Sequence, residues 1–126
     1  MRAIEPNGAW PTVEPLVLRA LEHDDGCHTA ASIRKALAAG KMQLWVDSSP
    51  ITAICITEIV VYPATKRCNI FLLAGHDIDA WIWQLPALES WAREKGCSAM
   101  ELQGRPGWER ILPGYVKTAV HLRKAL

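Results

Sequence analysis

The run Ile51-Thr52-Ala53-Ile54-Cys55-Ile56-Thr57-Glu58-Ile59-Val60-Val61-Tyr62 is dense in β-branched residues, carries one carboxylate in its middle and is stopped by Pro63. Branching at Cβ suits a pleated strand better than a helix, so Ile51 to Tyr62 reads as one long strand. The turn Ala64-Thr65-Lys66 separates it from Cys68 to Leu73, a second strand-like run that ends at Ala74-Gly75. On its other side the apolar stretch Met42 to Val46 runs into Asp47-Ser48-Ser49-Pro50, a turn cluster. Three strands joined by tight turns predict an antiparallel meander.

Helical spacing flanks the meander. Towards the N-terminus, Val13, Leu16, Val17, Ala20 and Leu21 fall on one helical face, with Thr12 as the expected cap, Pro15 in the first turn and an end before Gly26. Thr29 is placed to cap a second helix, Ala30 to Ala39, with Ile33, Ala36 and Leu37 on one side and Gly40 just past its end. After the meander, Asp77 or Asp79 is the expected cap of a longer helix with an apolar stripe of Ile78, Trp81, Leu85, Leu88 and Ala92. Pro86 inside it predicts a kink, and Gly96 its end. Ser98 to Gln103 reads as a strand, Gly104-Arg105-Pro106-Gly107 as a turn, Trp108 to Leu112 as a single helical turn and Val116 to Leu122 as a closing strand.

That order predicts a mixed α/β layer: two helices, a three-strand antiparallel meander, a crossover helix to a parallel strand, a short helix and a last strand. A chain of 126 residues with half of them hydrophobic suits one domain, 1–126, with one core. The formal net charge of +1, with Lys and Arg scattered among acidic neighbours, predicts no nucleic-acid partner. No apolar run approaches the roughly 18 residues of a membrane span and no leader is evident, so neither a membrane nor export is expected. The four cysteines, Cys27, Cys55, Cys68 and Cys97, are widely spaced without a C-x-x-C pair, which fits free thiols in a reducing, cytoplasmic setting. His23 and His28 flank Cys27 without a fourth ligand, so no metal site is expected. The six tryptophans read as core or interface residues, with Trp10 and Trp108 the least obviously core.

The arrangement resembles the GNAT N-acyltransferases from about Thr12 onward, with the family's first strand absent or reduced to Arg2-Ala3-Ile4. Cys97-Ser98-Ala99-Met100-Glu101-Leu102, followed by Trp108-Glu109-Arg110-Ile111-Leu112-Pro113-Gly114-Tyr115, looks like the family's late strand, short helix and turn. Leu44-Trp45-Val46, Thr57-Glu58-Ile59, Gly104-Arg105-Pro106-Gly107-Trp108 and Pro113-Gly114-Tyr115 resemble a group of small GNAT-like proteins of bacteriophages and prophages. The resemblance implies an acetyl-CoA cleft between the strand ending at Ala74 and the one beginning near Ser98. In it the backbone of Leu72, Leu73 and Ala74 would pair with the pantetheine amides, and the loop from Gly75 and His76 would hold the pyrophosphate.

Two departures matter. Where the family has a basic or Gln residue and two glycines, this chain has Ala74-Gly75-His76-Asp77-Ile78-Asp79, whose carboxylates suit a helix N-terminus and oppose a phosphate. His76 reads either as part of a phosphate site or as a surface residue. Where many of these enzymes have a tyrosine acid, the matching residue is Trp108, whose N–H is no useful acid, and Tyr115 is either its substitute or an aromatic closing the turn onto the core. Glu58 is the candidate general base, against a solvated residue or a partner of Arg67; Glu101 is a weaker candidate of the same kind. Arg105 reads as a contact at the cleft mouth or as a solvated turn residue.

Two functions follow. One is transfer of an acetyl group from acetyl-CoA to a small-molecule or protein amine. The other is a catalytically inactive interaction or structural module of a phage or prophage, in the host cytoplasm or the virion, with a phage or host protein as partner. A homo-oligomer is compatible with either.

Overall fold

The computed structural model describes residues 1–23, 26–104 and 107–126. Its centre is a five-stranded sheet in the order β1 (Arg2–Ile4), β2 (Gln43–Val46), β3 (Ala53–Val61), β4 (Lys66–Gly75) and β5 (Ala99–Leu102). The first four strands are antiparallel neighbours, and β5 runs parallel to β4. The meander and the parallel strand agree with the sequence reading. The reduced first strand exists as three residues paired to Leu44–Val46.

Helices cover both faces of the sheet. On one face α1 (Pro6–Leu21) and α2 (Ala30–Ala38) pack Trp10, Val13, Val17 and Ile33 against Leu44, Ile54, Ile56, Leu72 and Ala74. On the other, α3 (Ile78–Trp81), a 3₁₀ turn (Ile82–Gln84) and α4 (Leu85–Glu94) bring Trp81, Leu85 and Leu88 onto Trp45, Cys55, Ile70 and Leu73. Alternate side chains of β2 and β3 therefore feed two cores from a single sheet. Thr57 is buried on the Trp45 face, where its hydroxyl both accepts from the Trp45 indole (2.9 Å) and donates to Gln43 Oε1 (2.9 Å). The Trp81 indole N–H, by contrast, is buried with no acceptor among the described residues.

Several local expectations change for physical reasons. α1 begins at Pro6 and is capped by Glu5 and not by Thr12, because the Glu5 carboxylate accepts from Asn7 N (3.1 Å), seven residues before the expected cap. Pro11 and Pro15 lie inside α1, one turn apart on its exposed side, so the carbonyls they leave unpaired face water. Trp10 is buried: its N–H donates to Glu14 (2.8 Å) and Arg34 of α2 lies over its ring, tying the two helices together. The Thr29 cap is as expected, with Ser32 completing a reciprocal pair of bonds. Pro86 cannot donate to Ile82, and the expected long helix is two helices joined by the 3₁₀ turn.

The closing strand, Val116 to Leu122, does not form. No regular element follows α5 (Trp108–Ile111), and Val116, Val120 and Leu122 are 73%, 68% and 87% exposed. A strand belongs to a pair, and β-branched residues without a neighbouring edge do not make one alone.

Candidate functional site

One irregularity organises the site. Along β3 and β4 the pairing runs Ile56 with Leu72 and then Thr57 with Ile70, leaving Phe71 unopposed in a β-bulge. Such an extra residue bends its strand and increases the local twist. β5 follows β4 only as far as the bulge: Arg67–Ala99, Cys68–Met100, Asn69–Glu101 and Ile70–Leu102 are partners, and beyond them the two strands part.

The parting leaves main-chain groups of β4 unpaired on one side. His76 N donates to Thr52 O (3.4 Å), so with a period of two Ala74 and Leu72 also address β3, while Leu73 and Gly75 direct N–H and C=O to the open side. The open side is a narrow cavity of about 90 Å³, bounded by Ala20 and Leu21 of α1, Phe71 and Leu73 of β4, and Gln103 and Trp108. Trp108 stands beside Gly104, where a Cβ would come within 2.9 Å of its ring. Trp108 borders this cavity and also packs against the core cluster that contains Trp81.

The loop past β4 differs from its sequence reading in two ways. Asp77 has φ +52° and its side chain makes no capping bond to α3, so the carboxylate does not occupy the helix N-terminus. The cation absent from the loop itself comes from α1: Arg19 Nη1 lies 3.3 Å from His76 Nδ1. No local pattern pointed to Arg19, which is 57 positions away in sequence. Gly75 is explained by packing, since a Cβ there would sit 2.5 Å from the Cβ of Ala53.

Glu58 lies at the closed end of the fork. It is half-buried and accepts from Asn69 Nδ2 (3.0 Å), and Asn69 is two residues from Phe71 of the cavity wall on the same face of β4. Arg67 does not pair with Glu58; it makes an ion pair with Glu101 (3.3 Å), which also accepts from the Tyr62 hydroxyl (3.0 Å). Glu58, Asn69 and Glu101 are cross-strand neighbours on three adjacent strands, forming a polar row beyond the reach of α1 and α2. Asn69 and the Tyr62–Glu101 bond were not anticipated. The alternation of β4 placed Asn69 opposite Glu58 only once the register was known.

Tyr115 and Glu58 border one larger open space, but Tyr115 is held by α4. Its hydroxyl donates to Glu89 of α4 (2.9 Å) and its ring packs on the core beneath that helix. Burial first, and Glu89 second, push its pKa well above the ordinary tyrosine range. Burial likewise pushes the Cys68 thiol up to about 12, with Cys97 adding to the shift, and that residue is an inert part of the interior. Cys55 is also buried, whereas Cys27 is exposed. Arg105 lies outside the described residues. No helix among the described residues is long and apolar enough to cross a membrane.

No family model and no curated protein matches the chain. Solved structures do resemble it. An aminoglycoside acetyltransferase, meta-AAC0020 from an uncultured soil metagenomic sample, in complex with sisomicin, superposes with a TM-score of 0.74 at 14% identity over 99% of this chain and 94% of its own. A GNAT family acetyltransferase of Staphylococcus aureus gives 0.65 at 14% identity over 99% and 96%. A ribosomal-protein-alanine N-acetyltransferase of Brucella melitensis gives 0.68 at 11% identity over 98% and 97%. At such identities the likeness is one of fold, and the chain has the mixed α/β fold of the GNAT acetyltransferases.

Proposed function

We propose that the protein is an N-acyltransferase that moves an acetyl group from acetyl-CoA to an amine. The observation that carries this reading is the fork between β4 and β5, in which the unpaired main chain of Leu73 borders a cavity, with Glu58 on β3 held by Asn69 at the paired end of the fork. An extended chain bearing amides fits that edge as an added strand would, with main-chain hydrogen bonds giving affinity. The donor set fits the cofactor at its far end through Arg19 and His76, which offer charge and hydrogen bonding to a pyrophosphate where the loop has a single glycine. Leu72 and Ala74 contribute by packing, their side chains being fixed under α1.

Bound acetyl-CoA supplies an acyl carbon already activated as a thioester. The protein's own part is to position and to move a proton. Glu58, held by the Asn69 amide, takes the proton from the attacking amine, a role worth about 10²- to 10⁴-fold in rate. The carboxylates of Glu58 and Glu101 also favour an acceptor that arrives positively charged. Tyr115 has its proton committed to Glu89 and acts as a fixed part of the wall.

A second reading, a non-catalytic interaction module of a phage or prophage, is favoured by Asp77 and Asp79 at the start of α3 and by Trp83, which is 70% exposed. Calorimetric titration with acetyl-CoA separates the two. The first reading expects saturable binding, weakened by Arg19→Ala and unchanged by Glu58→Gln, with amine acetylation at least about 10²-fold slower in Glu58→Gln. No heat up to millimolar ligand leaves the second.

A further inference from the structure

Transfer of an acyl group from a thioester to an amine forms a C–N bond, breaks a C–S bond and carries a proton from nitrogen to sulfur. Glu58 takes the proton that leaves nitrogen. The electron pair of the broken bond stays on sulfur, and a second group must protonate it. Trp108 is no source, because an indole N–H donates hydrogen bonds without being a useful acid. The Tyr115 hydroxyl is engaged by Glu89 (2.9 Å).

The cavity of the fork holds another candidate. Among the described residues on its walls, all are aliphatic, aromatic, glycine or amide except His23. An imidazole gives and takes protons near neutral pH, which none of those other side chains does. His23 follows the last turn of α1, its N–H donating to Ala20 O (3.1 Å), so the turn is carried on to the cavity wall. Arg19, four residues earlier, lies on the same side of the helix and reaches His76. α1 therefore sets two basic side chains beside the open edge of β4, Arg19 at the Gly75 end and His23 by Phe71 and Leu73. An extended arm that starts at Arg19 and His76 and follows that edge past Leu73 brings its sulfur end to His23. Ile54 and Ile56 pack under α1 and α2, and Glu58 continues their alternation, so Glu58 and His23 share one face of the sheet.

We propose that His23 is the general acid of the transfer. Its imidazolium gives a proton to the departing sulfur and regains one from water, while Glu58 passes the proton of the amine to water, so no co-reactant is consumed. The proposal rests on the acyl-transfer reading and adds to it a catalytic residue from α1.

Proton NMR of the four histidine rings tests it without an acceptor amine, using CoA and a CoA analogue in which hydrogen replaces the thiol. His23→Gln assigns the ring, and because His23 is exposed the change leaves both cores as they are. The His76 resonances are expected to shift with both ligands, and those of His23 with CoA but not with the analogue. At neutral pH the thiolate absorbance of bound CoA is expected to be several-fold weaker in His23→Gln than in wild type, an imidazolium being what stabilises the anion, with the calorimetric affinity for CoA unchanged. A shift of His76 with none at His23 overturns the proposal and leaves acyl transfer standing. So does an equal His23 shift with both ligands, or a thiolate signal that His23→Gln leaves intact. No shift at either ring overturns the acyl-transfer reading and this proposal with it.

Discussion

The two halves of β4 make opposite compromises. From Lys66 to Ile70 the strand is paired on both edges, to β3 and to β5, but one of its faces is open and carries Arg67 and Asn69 beside Glu58 and Glu101. From Phe71 to Gly75 both faces are covered, by α1 and α2 on one side and by the helices around Trp81 on the other, and one edge is open. Unpaired main chain is tolerated where burial on both faces holds the strand in place. Polar side chains are tolerated where the ladder is complete. The fork and the polar row meet at the bulge, so an edge that binds by hydrogen bonds and a carboxylate that handles protons become neighbours.

The contrast predicts unequal responses to substitution. Ile56→Ala, opposite Leu72 in the doubly covered half and fully buried, should destabilise most, by about 2–5 kcal/mol in denaturant unfolding. A loss below about 1 kcal/mol would mean that burial is not what holds the forked half. Tyr115→Phe should cost about 1 kcal/mol through the bond to Glu89. Because the folded phenol titrates above its ordinary value of 10.0, this stabilisation is complete below about pH 10 and declines as the pH rises towards the folded value. The Phe variant should therefore lose less stability than wild type on titration above pH 10. Arg67→Ala, on the open half, should change stability least, by less than about 0.5–1 kcal/mol, its ion pair being largely exposed. A larger loss would show the polar row to be structural.

How much of this was legible depends on whether the cause is local. The Thr29 cap and the chain reversals at Gly40 and Gly96, with φ +74° and +85°, are written in adjacent residues and were read correctly. So was the parallel pairing of β5, which follows from a crossover helix of that length. The start of α1 was misread because a glutamate cap before a proline is a weaker signal than threonine before an apolar face. Asp77 was misread because capping depends on backbone angles, and a left-handed residue turns its side chain away from the helix end. The Arg19–His76 contact, the bulge and the pairing of Arg67 with Glu101 arise between distant segments, and periodicity carries no information on register.

The bulge at Phe71 also makes the cleft separable from the cores. Phe71 and Leu72 both pack on the α1 side, while Ile70 and Leu73 reach one core and Leu72 and Ala74 the other. Removing Phe71 alone would therefore restore plain alternation, leave Leu72 to Gly75 facing as they do now, and let β5 continue alongside a straighter strand. The opening is a one-residue insertion that neither core requires. A lineage carrying this sheet can close the fork in one step and keep its interior.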